Sequence, residues 1–159
     1  MEVSEFLAEH KAAIVGGAAT ALAGRHLRHY EDLGHEASTA RLAALFDCVV
    51  DGARRKNLVP ILVYAERVAT ERHETGFDFV EVQAAFNLLE EAIWRQMLAG
   101  YPQPELPTAL GMVATLFGAA KDKLASTYLS LATEKHVPTL DLQSLFRGTQ
   151  NTGGGANQP

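Results

Sequence analysis

Apolar residues recur at helical spacing along most of this chain, and nowhere do they alternate long enough to trace a strand. The pattern predicts an all-α fold, a compact bundle of about five helices in which a globin-like arrangement is open. The first helix, about 4 to 23 with Ser4 as cap, is rich in small residues. The second, about 39 to 55, lines Leu42, Leu45, Phe46, Val49 and Ala53 on one face. Asn57 is placed to cap the third, with Pro60 tolerated in its first turn and a stripe of Leu58, Ile61, Leu62, Ala65, Val68 and Ala69. The fourth, about 79 to 98, presents Phe79, Val82, Phe86, Leu89, Ile93 and Met97. Between Arg25 and Thr39 the pattern reads as a polar connection.

The fifth helix, about Glu105 to Lys135, is long, on the order of 46 Å at 1.5 Å per residue against roughly 30 Å for the fourth. Its excess length requires either a bend at Gly118 or a partner for its end. Leu124, Tyr128 and Leu131 are the residues this leaves short of cover, so the pattern predicts a homodimer over that length. Gly16 and Gly17 point to the same kind of contact. Each costs roughly 1 kcal/mol of helix stability relative to alanine, and close approach of another backbone is the natural compensation. That approach is read first as packing within the monomer, and second as a subunit interface. Trp94 flanks the buried stripe of the fourth helix as an edge-of-core residue or an interface anchor.

One corner is chemically specified at each step: Arg72-His73-Glu74-Thr75-Gly76-Phe77-Asp78-Phe79-Val80-Glu81-Val82. Gly76 stands where a helix end takes a left-handed residue, and Asp78 can accept from the orphan amides of the next helix. Glu81, three residues on, completes a capping box, while Phe77 and Val82 occupy the two positions of a hydrophobic staple. Such a corner fixes two helices relative to one another.

Length and charge narrow the picture without adding chemistry. A chain of 159 residues makes one domain, expected over 1–136, followed by a short apolar segment at 137–147 and a disordered Gly/Asn/Gln/Thr tail at 148–159. A net charge of −5 gives no basic field for a nucleic acid. Arg54-Arg55-Lys56 is better read as cations at a helix C-terminus. A single cysteine, Cys48, sits among apolar neighbours and fits a buried thiol in a reducing, cytoplasmic setting. The apolar stretch from Ala12 to Gly24 is too short to span a bilayer and follows acidic residues, so no membrane association is expected.

Candidate catalytic and cofactor groups are sparse. His26, His29, Glu31, Asp32 and His35 cluster in sequence, but no zinc or di-iron motif organises them, and neither a metal nor another cofactor is expected. His73 is a single candidate haem ligand, a weak signal. Glu90 and Glu91 with Arg95 read as an ion-paired helix face rather than an acid/base pair. No nucleophile elbow or phosphate loop is present, and the chain is not expected to be an enzyme.

Arg72, Gly76, Phe77, Glu81 and Val82, followed by the amphipathic run from Ala85 to Arg95, resemble the N-terminal domain family of the RsbT co-antagonist protein RsbRD. The resemblance spans roughly residues 3 to 136. It implies a non-enzymatic sensory or protein-interaction domain of bacterial signalling, usually joined to an output domain and acting on a signalling protein. No output domain of the STAS, kinase or DNA-binding kind follows in this sequence. A competing expectation is a helical sensor that holds a haem or a lipid-like molecule among its helices.

Overall fold

Seven helices make up the computed structural model, which describes residues 1–136 and side chains as far as 134. They are α1 (Val3–Glu9), α2 (Lys11–Gly24), α3 (Arg28–Leu33), α4 (His35–Arg55), α5 (Val59–Glu74), α6 (Phe79–Gly100) and α7 (Leu106–His136). Among the described residues there is no strand, and α7 is the long helix expected from the pattern. The chain divides into a unit from Met1 to Tyr128 and a terminal unit from Leu129. The segments 137–147 and 148–159 lie outside the described residues.

Three boundaries depart from the sequence pattern, each for a physical reason. The expected first helix is two, broken at His10. The His10 ring donates from Nδ1 to the Phe6 carbonyl at 2.8 Å, and its own N–H turns to the Leu7 carbonyl at 3.1 Å. A side chain has thereby taken the acceptor that the helical ladder would use. Ser4 is buried rather than capping; Glu2 precedes the first turn of α1. The expected polar connection holds α3, because Tyr30 within it is buried edge-on against Phe77, with ring centroids 5.0 Å apart. Accordingly α4 begins at His35 rather than near 39.

Elsewhere the stripes face inward as patterned, except at Leu58, which precedes the first turn of α5 and is exposed. Phe46, Leu45, Ile61, Leu89, Ile93, Met97 and Phe117 are fully buried in one core, with α2 packed against both α4 and α6, and α1 and α5 against α4. Asn57 acts one residue earlier than a cap: its Oδ1 accepts from Val59 N at 2.9 Å while Leu58 holds the N-cap position. Gly52 faces α7, where an added Cβ would lie 2.8 Å from Leu116 Cδ2 and oblige that side-chain end to shift. Met1 and α1 are tied to the α6–α7 connection by Tyr101, whose hydroxyl donates to the Met1 carbonyl at 2.7 Å.

Lys56 ends α4 in the left-handed region, with φ 51° and ψ 47°. A Cβ is unfavourable there, so Lys56→Gly is expected to stabilise the fold by about 0.5–1 kcal/mol after the entropic cost of glycine in the unfolded chain. A thermal melt checks the sign, and a lower melting temperature for the variant would show that the lysine is otherwise anchored.

Candidate functional site

The corner between α5 and α6 is built as its residues dictate. Gly76 takes φ +86°, the Phe77 N–H reaches back to the Arg72 carbonyl at 2.9 Å, and the Gly76 N–H reaches the His73 carbonyl at 3.2 Å. These two bonds are the Schellman closure of a helix C-terminus. On the α6 side, Glu81 Oε2 accepts from Asp78 N at 3.0 Å. Asp78 occupies the reciprocal place in the capping box, but the Glu81 N–H already bonds the Asp78 carbonyl at 3.1 Å, so the glutamate half is the stronger one. Phe77 and Val82, the staple positions, are both buried.

Glu81 does more than the sequence implied. Its carboxylate also accepts from the His29 N–H at 3.1 Å and from His29 Nδ1 at 2.7 Å, which fixes the proton of the imidazole on Nδ1 and binds α3 to the start of α6. Burial alone would raise the Glu81 carboxyl; the amides of His29 and Asp78, with the His29 ring, together outweigh it and hold the group below its ordinary value. From α7, the Tyr128 hydroxyl donates to the Phe77 carbonyl at 3.0 Å. The corner therefore joins α3, α5, α6 and α7.

Behind it lies a small, mostly apolar chamber that two arginines enter. Arg72 on α5 is 5% exposed and Arg41 on α4 is half-buried; with Tyr30, Ser38 and Tyr64 they line a cavity of about 20 Å³ whose other walls are apolar. Arg72 donates to Glu71 Oε1 at 2.8 Å, and Arg41 stacks over Phe77, 5.2 Å from the ring centroid. Yet Arg72 Nε and Arg41 Nη1 are buried and find no acceptor among the described residues. Burial, and then the like charge of Arg72, draw the Arg41 guanidinium below its ordinary value. Burial pushes the Tyr64 hydroxyl up to about 12. On the far side of Tyr30 and Ser38, a cavity of about 250 Å³ is bounded by Ala19, Leu22 and Ala23 and rimmed by His26, Glu31 and His35.

The remaining candidates fall as follows. Leu124 is fully buried and Tyr128 nearly so, both within the core, so neither is short of cover as the length of α7 suggested. Leu131 belongs to the terminal unit. Gly16 and Gly17 are exposed, and a Cβ at either would meet nothing within 4 Å; the packing expected for them inside the monomer is absent. Trp94 is 39% exposed. His26 is bonded to Glu31 at 2.6 Å and His29 to Glu81, and no metal-holding group of His, Cys, Asp or Glu occurs among the described residues. His73 packs edge-on against Tyr128 and lines none of these cavities. Arg95 pairs with Glu91 at 2.6 Å, whereas Glu90 pairs with Lys121 of α7 at 3.0 Å. Cys48 is half-buried, donates to the Pro60 carbonyl at 3.7 Å, and is pushed up by burial. No described helix is long and apolar enough to cross a membrane.

A family model for the RsbT co-antagonist protein rsbRD N-terminal domain matches residues 4–134. No curated protein and no solved structure matches the chain.

Proposed function

The chain belongs to the RsbT co-antagonist protein rsbRD N-terminal domain family, a family of regulatory signalling domains, and from that membership we propose a non-enzymatic cytoplasmic sensor that acts through protein contacts as a homodimer. The observation that carries this reading is the corner. Glu81, His29, Phe77 and Tyr128 bond across three elements, so a displacement of α3 or α7 is felt at the start of α6. Packed helices joined in this way move as discrete bodies rather than deforming smoothly, which suits a regulatory switch.

For the dimer surface, the cover argument at Leu124 and Tyr128 no longer applies, and the small-residue face of α2 takes its place. Gly16 and Gly17 weaken α2 without compensation inside the monomer. Beside Gly17, a groove of about 230 Å³ runs between α2 and α6, with Ala13 and Ala21 on one side and Ala92, Glu91, Arg95 and Gln96 on the other. A second copy presenting its own Gly16 and Gly17 would supply the missing close approach, and two-fold pairing covers this face on both chains. Full-length protein is expected to give a dimeric mass in light scattering. Gly17→Lys, which improves helix propensity, is expected to be monomeric with an unchanged far-ultraviolet spectrum. A monomeric mass for the unsubstituted chain would remove the dimer from this proposal and leave the regulatory assignment untouched.

A further inference from the structure

We propose that the chamber between Arg41 and Arg72 is a binding site for one small monovalent anion, either a free halide or the carboxylate of an organic acid. Two guanidiniums wall it, and the carboxylates nearby do not balance them. Glu71 is the one paired to Arg72, on the solvent side with its side chain 55% exposed, and Glu81 is committed to His29 and Asp78. Arginine carries only donors and keeps its charge, so Arg72 Nε and Arg41 Nη1 each require an acceptor. Leaving charged donors buried without one is expensive, and cationic neighbours add repulsion to that cost.

The size of the chamber selects the occupant. About 20 Å³ takes one water-sized or chloride-sized body. A water leaves the paired charges unscreened; an anion between the guanidiniums offsets their repulsion through the charge-assisted contact that arginine favours. A carboxylate brings the same charge and acceptors. Tyr30 and Ser38, common to both cavities, form the wall between them, closed by the Ser38 hydroxyl donating to the Tyr30 carbonyl at 3.3 Å, so a longer chain reaches the space beside Ala19, Leu22 and Ala23 only where that contact opens. Because Tyr30 and Arg41 line the chamber and both pack on Phe77 of the corner, occupancy would bear on the joint that holds α3 to α6. The inference rests on the proposed regulatory role only for calling the anion an input, since binding is measured on the protein alone.

The experiment compares thermal melts of the full chain at matched ionic strength in sodium chloride, formate, octanoate and gluconate, the last with a hydroxylated chain unsuited to apolar walls. Line broadening of the chloride nucleus by NMR gives binding directly. Expected are saturable rises in melting temperature with chloride or formate over gluconate. A free halide is indicated where chloride acts and octanoate does not, and a ligand with an apolar tail where octanoate acts most strongly. Arg41 is half-buried, so Arg41→Gln is expected to fold, with anion affinity reduced about tenfold or more by loss of one charged hydrogen bond. Equal melting temperatures in all four salts, or a full response in Arg41→Gln, would overturn the site. Neither result would alter the dimer measurement, so the two proposals fail separately.

Discussion

Gly76→Val is expected to destabilise the protein by about 2 kcal/mol, read as a fall of about 4–8 °C in melting temperature. The reason is backbone geometry. At φ +86° the α5 helix closes by sending the Phe77 and Gly76 amides back to the Arg72 and His73 carbonyls, and a β-branched residue strongly disfavours that region. The first added atom has room, because a Cβ would stand 3.6 Å from His29 Nε2, an ordinary contact. Branches beyond it press on the imidazole that holds Glu81, so the strain is transmitted to the α3–α6 joint rather than staying local. Gly76→Asn separates the two effects: asparagine tolerates a left-handed backbone and should lose less than half as much. Equal melting temperatures for the glycine and valine proteins would show that the corner is not held in this conformation.

The corner was legible because its signals are local. A left-handed glycine, a cap and a glutamate three residues later lie within one turn of each other, and their chemistry does not depend on the rest of the chain. The inward stripes of α4, α5 and α6 were legible for a related reason, since period alone assigns a buried face. What failed depended on partners that periodicity does not name. No pattern within residues 25 to 39 says that Tyr30 will stack on Phe77, so a six-residue helix there read as a polar connection. The break at His10 turns on which acceptor one imidazole chooses. Leu124 and Tyr128 looked uncovered because helix length was compared without knowing which neighbours surround the far end of α7. The buried arginines left a fainter trace that could have been read. Arg41 lies three residues after Ser38 and four before Leu45, on the buried side of α4, and Arg72 continues the stripe Ile61, Ala65, Val68. A charged residue at a core register signals either a paired ion or a site, and sequence cannot place the partner that decides between them.

Glu81 is expected to give the other large effect, because one buried carboxylate accepts from three donors on two elements. In Glu81→Gln the amide NH₂ must face at least one of those N–H groups, donor against donor. The expected cost is about 2 kcal/mol at neutral pH, the scale of a lost hydrogen bond to a charged group. Its dependence on pH carries a definite sign. The folded carboxyl lies below its ordinary value of 4.5, so the unfolded chain binds the proton more readily. The stabilisation is therefore fully present above about pH 4.5 and is lost as the pH falls through the folded value. Denaturant unfolding of both proteins from neutral pH down through that window tests this. Their stabilities should differ most at neutral pH and converge in acid, because the unsubstituted chain alone has this carboxylate to lose. Parallel acid limbs would mean that Glu81 is not the group holding the α3–α6 joint in its charged form. A converging pair with a small neutral gap would instead mean that the glutamine amide oxygen satisfies the His29 and Asp78 amides nearly as well, leaving the charge with little part in the corner.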